Sequence, residues 1–105
     1  MKPSAYITAL LPKLKECFEK HPVDKVWLFG SYSRGEETVH SDVDFLVKYT
    51  NDDNLSLLSV SRLYRALKNI LEKEVDVIEE GYLLPFAQAS CENDKILIYE
   101  RKAKR

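Results

Sequence analysis

Apolar positions in the first twenty residues recur at helical spacing. Leu10, Leu14, Cys17 and Phe18 fall three or four residues apart or side by side and share one face. Pro12 interrupts this segment, and its ring either opens a second helix at the first turn or kinks a single one. Beyond His21 and Pro22 the pattern changes. Val26-Trp27-Leu28-Phe29 is an unbroken, mostly β-favouring apolar run, too short for a helix and suited to a strand covered on both faces. Residues 30 to 41 hold two of the three glycines and many polar groups, which predicts a loop with room for one helical turn. Val43 to Tyr49 reads as a second strand. Leu57, Val60, Tyr64, Leu67 and Leu71 then trace a long amphipathic helix with Arg62, Arg65 and Lys68 outward and Asp53 as its N-cap. A third strand at Val75 to Ile78, a short helix within Pro85 to Cys91 and a last strand at Ile96 to Tyr99 complete the order α, β, loop, β, α, β, α, β. The class is α/β (α+β).

At 105 residues the chain is expected to form one domain, 1–105, with no separate substrate-binding unit. Its 45% apolar and 31% charged content excludes wholesale disorder. Sixteen basic against seventeen acidic residues leave a net charge of -1, so neither direct nucleic-acid binding nor attraction to an anionic membrane is expected. Cys17 and Cys91 stand far apart without metal-ligand spacing, which speaks against a disulfide scaffold or zinc site and for a reducing cytoplasmic location. No apolar run approaches the roughly 18 residues of a membrane span, and no secretory signal opens the chain. The basic tail from Arg101 to Arg105 reads as a solvated end that deletion would spare.

The aspartates carry the chemistry. Asp42 and Asp44 flank Val43 at the mouth of a strand, and residues two apart on a strand point the same way. Asp76 lies between two valines in another strand, where aspartate is disfavoured. Three carboxylates on neighbouring strands repel one another unless a cation sits among them, and Mg²⁺ is the hard, oxygen-seeking ion that also binds phosphates. Taken singly, each has a plainer reading: Asp42 as a turn cap, Asp44 on the wet face of an edge strand, Asp76 as an exposed position. The run Gly30-Ser31-Tyr32-Ser33-Arg34-Gly35 changes the balance. Gly30 lets backbone amides approach a phosphate, and Ser31 adds a hydroxyl. Arg34 either offers charge to a triphosphate or holds the loop by pairing with a carboxylate.

Gly30-Ser31, ten residues, Asp42-x-Asp44 and a later strand aspartate resemble the nucleotidyltransferase superfamily that shares its fold with DNA polymerase β. The fuller stretch from Leu28 to Gly35, Ser41 to Val47, and the ending Lys95 to Glu100 resemble its minimal nucleotidyltransferases, often called MNT. The resemblance implies a nucleotidyltransferase fold, a small mixed β-sheet with helices packed on it. It implies that Asp42, Asp44 and Asp76 are catalytic and hold two Mg²⁺ ions, and that Gly30, Ser31 and Arg34 bind the nucleotide. It also implies ATP as substrate and a cognate HEPN ribonuclease toxin as partner, silenced by AMP transfer onto a tyrosine. Two other readings stand beside this one: a non-catalytic module that masks a HEPN partner, and a transferase acting on a small molecule or RNA end. Trp27 and Phe29 are expected in the core rather than as base-stacking platforms, His40 in solvent, and the row from Leu57 to Leu67 in the core.

Overall fold

The computed structural model describes residues 3–50, 55–82, 88 and 92–102. Its sheet runs in the order β3-β2-β1-β4. The strands are β1 (Val23–Phe29), β2 (Val43–Tyr49), β3 (Val75–Glu79) and β4 (Ile96–Glu100). β1 is antiparallel to both of its neighbours, while β2 and β3 are parallel. A parallel pair needs a long crossover, and helix α3 (Leu57–Leu71) provides it between β2 and β3. Helices α1 (Ala5–Glu19) and α2 (Ser31–Arg34) precede and follow β1.

Helix α1 passes through Pro12 as one helix. Ser4 caps it, accepting from the Ile7 amide at 3.3 Å, and Ile7, Leu14, Cys17 and Phe18 are its buried residues. In α3 the buried residues are Leu63, Leu67 and Leu71; of the expected row, Leu67 and Leu71 are buried, Val60 and Tyr64 are half-buried, and Leu57 is 88% exposed. The expected cap Asp53 lies outside the described residues. Ser56 does that work, accepting from the Ser59 amide. The expected short helix at 85–91 also lies outside them, apart from Gln88.

The buried helical residues meet Val23, Val26 and Leu28 of β1 and Val43, Phe45 and Val47 of β2 in one core. Alternation puts the intervening residues on the opposite face. Trp27 and Phe29 lie there half-buried and outside that core, so the expectation of a strand covered by core on both faces does not hold for them. Trp27 is paired with Leu46 on one side and Leu97 on the other, with the Lys95 ammonium 4.9 Å from its ring centre. Among the described residues no helix is long and apolar enough to cross a membrane.

Arg101 also departs from expectation, while 103–105 lie outside the described residues. The Arg101 guanidinium donates from Nε to the Val23 carbonyl at 2.9 Å, and from Nη2 to the carbonyls of Phe18 at 3.0 Å and His21 at 2.7 Å. The last carbonyls of a helix lack intrahelical donors, and Arg101 supplies one for the end of α1. It is therefore an anchor and not a frayed end.

Candidate active site

The end of β1, the start of β2 and the start of β3 lie side by side. Phe29 is opposite Asp44, and Asp44 is in register with Asp76 on the parallel strand beyond. In-register neighbours on adjacent strands share a face at a spacing of about 4.8 Å. The sheet thus presents Asp44 and Asp76 together. Asp42 precedes β2 by one residue and is exposed, as is Asp76, whereas Asp44 is half-buried.

Gly30 ends β1 in a conformation with φ 76° and ψ −158°, which residues with a Cβ scarcely visit. An ideal Cβ placed on Gly30 would come within 3.0 Å of Asp44 Oδ2. The missing side chain lets the turn settle directly on the carboxylate. Ser31 opens α2, and Gly35 closes it in the left-handed region at φ 72°. Ser33 and Tyr32 are both buried. The Ser33 hydroxyl donates to the Gly30 carbonyl at 2.7 Å, and the Ser4 amide donates to the Tyr32 carbonyl at 2.9 Å, tying the turn to the cap of α1. Neither contact was foreseen; the second serine of Gly30-Ser31-Tyr32-Ser33 is the only trace of them in the sequence.

Arg34 holds the loop. Its Nε donates to Glu36 Oε1 at 2.6 Å, and its Nη1 pairs with Asp94 Oδ2. On the approach to Asp42, the Thr38 amide donates to Ser41 Oγ at 2.9 Å and the Ser41 amide returns to the Thr38 carbonyl at 3.1 Å. His40 is exposed, as expected.

Electrostatics single out Asp44. Burial, then the charges of Asp76 and Asp42, push its carboxyl from 3.8 up to about 6, while Arg34 pulls the other way. Loss of water is the larger cause, and repulsion from the like-charged neighbours adds to it. A divalent cation would offset both penalties, and the donor set is all hard oxygen. Among the described residues no three histidine, cysteine, aspartate or glutamate side chains are grouped so that they could hold a metal ion, so Asp42, Asp44 and Asp76 do not converge as the expected three-carboxylate site. The register brings together the pair Asp44 and Asp76, and Mg²⁺ is commonly held by one or two carboxylates together with substrate phosphates.

Comparison with known proteins gives this geometry a family. The family described as "Polymerase beta, Nucleotidyltransferase" matches residues 12–104. A Methanocaldococcus jannaschii protein named as a candidate protein adenylyltransferase is 38% identical over 100 residues, spanning 93% of this chain and 100% of its own length. Protein adenylyltransferase MntA of Thermococcus cleftensis is 38% identical over 69 residues, 66% of this chain and 68% of its own. A solved structure described as a candidate minimal nucleotidyltransferase superposes with a TM-score of 0.71 at 30% identity, covering 86% of this chain and 90% of the other. A chain from the complex of tri-AMPylated Shewanella oneidensis HEPN toxin with MNT antitoxin superposes at 0.63 over 90% of this chain and 72% of its own. At 18% identity that last likeness speaks for the fold alone. The chain belongs to the polymerase β nucleotidyltransferase family and is a nucleotidyltransferase of its minimal type.

Proposed function

We propose that this chain is an antitoxin that transfers AMP from ATP onto a tyrosine of a HEPN ribonuclease partner and thereby silences it. The observation that carries the reading is the register of Asp44 with Asp76 beneath the Gly30 turn. That arrangement sets paired carboxylates beside a glycine-serine turn. The names of the relatives supply the reaction class, and the HEPN complex among the structural neighbours supplies the kind of partner.

The chemistry balances as follows. The tyrosine oxygen attacks the α-phosphorus of ATP, and a phosphate ester bond forms as the bond to the bridging oxygen breaks. Pyrophosphate leaves, and the hydroxyl proton passes to Asp76. Asp42, Asp44 and Asp76 would hold Mg²⁺, two ions in this reading. Bound Mg²⁺ lowers the pKa of the attacking hydroxyl and neutralises the triphosphate. The protein's own work is positioning. Gly30 and Ser31 receive the phosphates, Asp44 fixes the acidic end of the site, and Arg34 places positive charge next to it.

The test is to incubate the chain with the product of its neighbouring gene, ATP and Mg²⁺, and to measure the partner's intact mass. A gain of one or more adenylyl groups, localised to tyrosine and accompanied by loss of ribonuclease activity, is the expected result. A tight complex that silences the partner with no mass change would instead identify a masking module.

A further inference from the structure

We infer that Asp94, in the segment leading into β4, is a positioning residue for the nucleotide site and acts through Arg34. The inference rests on the reading of Arg34 as a nucleotide-binding residue. Arg34 ends α2, four residues past Gly30, and its charge is felt by Asp44. Two carboxylates hold its guanidinium from different directions, Glu36 at Nε from the adjoining loop and Asp94 at Nη1 from 60 residues further along the chain. A planar group held at two corners keeps its orientation. Among the described residues the contacts of the guanidinium are made through Nε and Nη1.

Stability alone does not account for this arrangement. The Arg34 side chain is 36% exposed, and ion pairs so open to water contribute little to folding. The Asp94 side chain is only 16% exposed, so the pair is anchored on the Asp94 side and open on the Arg34 side. That asymmetry suits a device that aims a cation. It also makes Asp94 part of the site, although it lies far from Gly30, Asp42 and Asp44 in sequence.

The experiment measures Mg·ATP binding by calorimetry, together with KM for ATP and kcat for AMP transfer, in wild type, Asp94→Asn, Asp94→Glu, Arg34→Ala and the Arg34→Ala/Asp94→Asn double variant. Asp94→Asn is expected to weaken Mg·ATP binding and raise KM on the order of tenfold, with kcat less affected. Asp94→Glu should recover most of the loss. The double variant should bind no worse than Arg34→Ala, because the two residues act as one unit. Wild-type binding in Asp94→Asn would overturn the inference, as would losses that add in the double variant. A collapse of the nucleotide-free Tm in Asp94→Asn would mark the pair as structural and equally sink it. Wild type that fails to bind Mg·ATP would instead defeat the functional reading beneath it.

Discussion

Gly30 rests directly on the carboxylate of Asp44: a Cβ at position 30 would fall within 3.0 Å of Asp44 Oδ2. The glycine is also in a region of backbone space that costs other residues about 1–3 kcal/mol. Gly30→Ala should therefore lower Tm by roughly 5 °C or more, as expected for about 1 kcal/mol in a domain of this size. By displacing Asp44 it should also slow AMP transfer on the order of a hundredfold. Gly35→Ala is the control, since its φ is likewise positive at 72° but nothing lies within 4 Å of the added methyl. It should lose stability while keeping its rate per folded molecule. Thermal melts and initial rates check both, and equal rate losses in the two variants would refute the argument.

Asp44 gives the protein a pH dependence of stability with a definite sign. Its folded pKa of about 6 lies above its ordinary value of 3.8. Between those values the folded chain binds more protons than the unfolded chain, so stability falls as pH rises. Below about 4 the carboxyl is neutral in both states and costs nothing; above about 6 the full penalty is in place, on the order of 1–3 kcal/mol. Nucleotide-free protein should melt higher at pH 5 than at pH 7.5. Asp44→Asn should remove most of that slope, and it should melt higher than wild type at pH 7.5 while transferring no AMP. Denaturant unfolding at the two pH values, with and without the substitution, measures the effect.

Mg·ATP should reverse the penalty that the carboxylates impose. Ligand at about a hundred times its Kd adds about 2.7 kcal/mol. In a domain of this size that amounts to a rise in Tm of roughly 10 °C. Asp44→Asn should lose most of the rise. A wild-type Tm indifferent to Mg·ATP would count directly against the proposed site.

Asp76 separates chemistry from folding. It is exposed at the start of β3, so Asp76→Asn should shift stability by about 0.5 kcal/mol or less. If Asp76 takes the proton of the attacking hydroxyl, the same variant should lose AMP transfer on the order of a hundredfold or more. Unfolding of Asp76→Asn would mark the carboxylate as structural. Unimpaired transfer would remove it from the mechanism.

Local pattern made the elements legible and long-range contact did not. Val43 to Tyr49 was readable to the residue because an apolar run follows the Asp42-Val43-Asp44 signature and polar residues end it. A turn at Gly30 is legible from its place between an apolar strand and the Asp42-Val43-Asp44 strand, but its packing against the Asp44 carboxylate is not. In α3 the helical period correctly marks Leu67 and Leu71 as buried but not Leu57, which fits the period yet precedes the part of the helix that packs. Trp27 and Phe29 were misplaced for a related reason: an apolar run does not reveal that the helices cover only one face of the sheet. Ser33 and Asp94 could not be read at all. Their roles depend on a carbonyl three residues back and on a guanidinium 60 residues away, and neither leaves a periodic trace.

Arg101 is where sequence most undervalued a residue, and it offers the cleanest separation of stability from catalysis. Its guanidinium satisfies carbonyls of Phe18, His21 and Val23, and its own amide donates to the Asp24 carbonyl at 2.7 Å. Hydrogen bonds involving a charged donor contribute about 1.5–3 kcal/mol. Arg101→Ala removes these charged donors from the carbonyls of Phe18, His21 and Val23, so Tm should fall by roughly 5–15 °C. Arg101→Lys should recover only part of this, because a single ammonium cannot span carbonyls in several directions. β4 is antiparallel to β1, with Glu100 beside Lys25 near the start of β1, so Arg101 lies at the end of the sheet opposite Gly30 and Asp44. AMP transfer per folded molecule should therefore stay within about twofold of wild type in both variants, the scale of change expected far from the reacting groups. Rates measured well below each variant's Tm would decide the matter, and a large rate loss in Arg101→Ala would show that the two ends of the sheet are coupled.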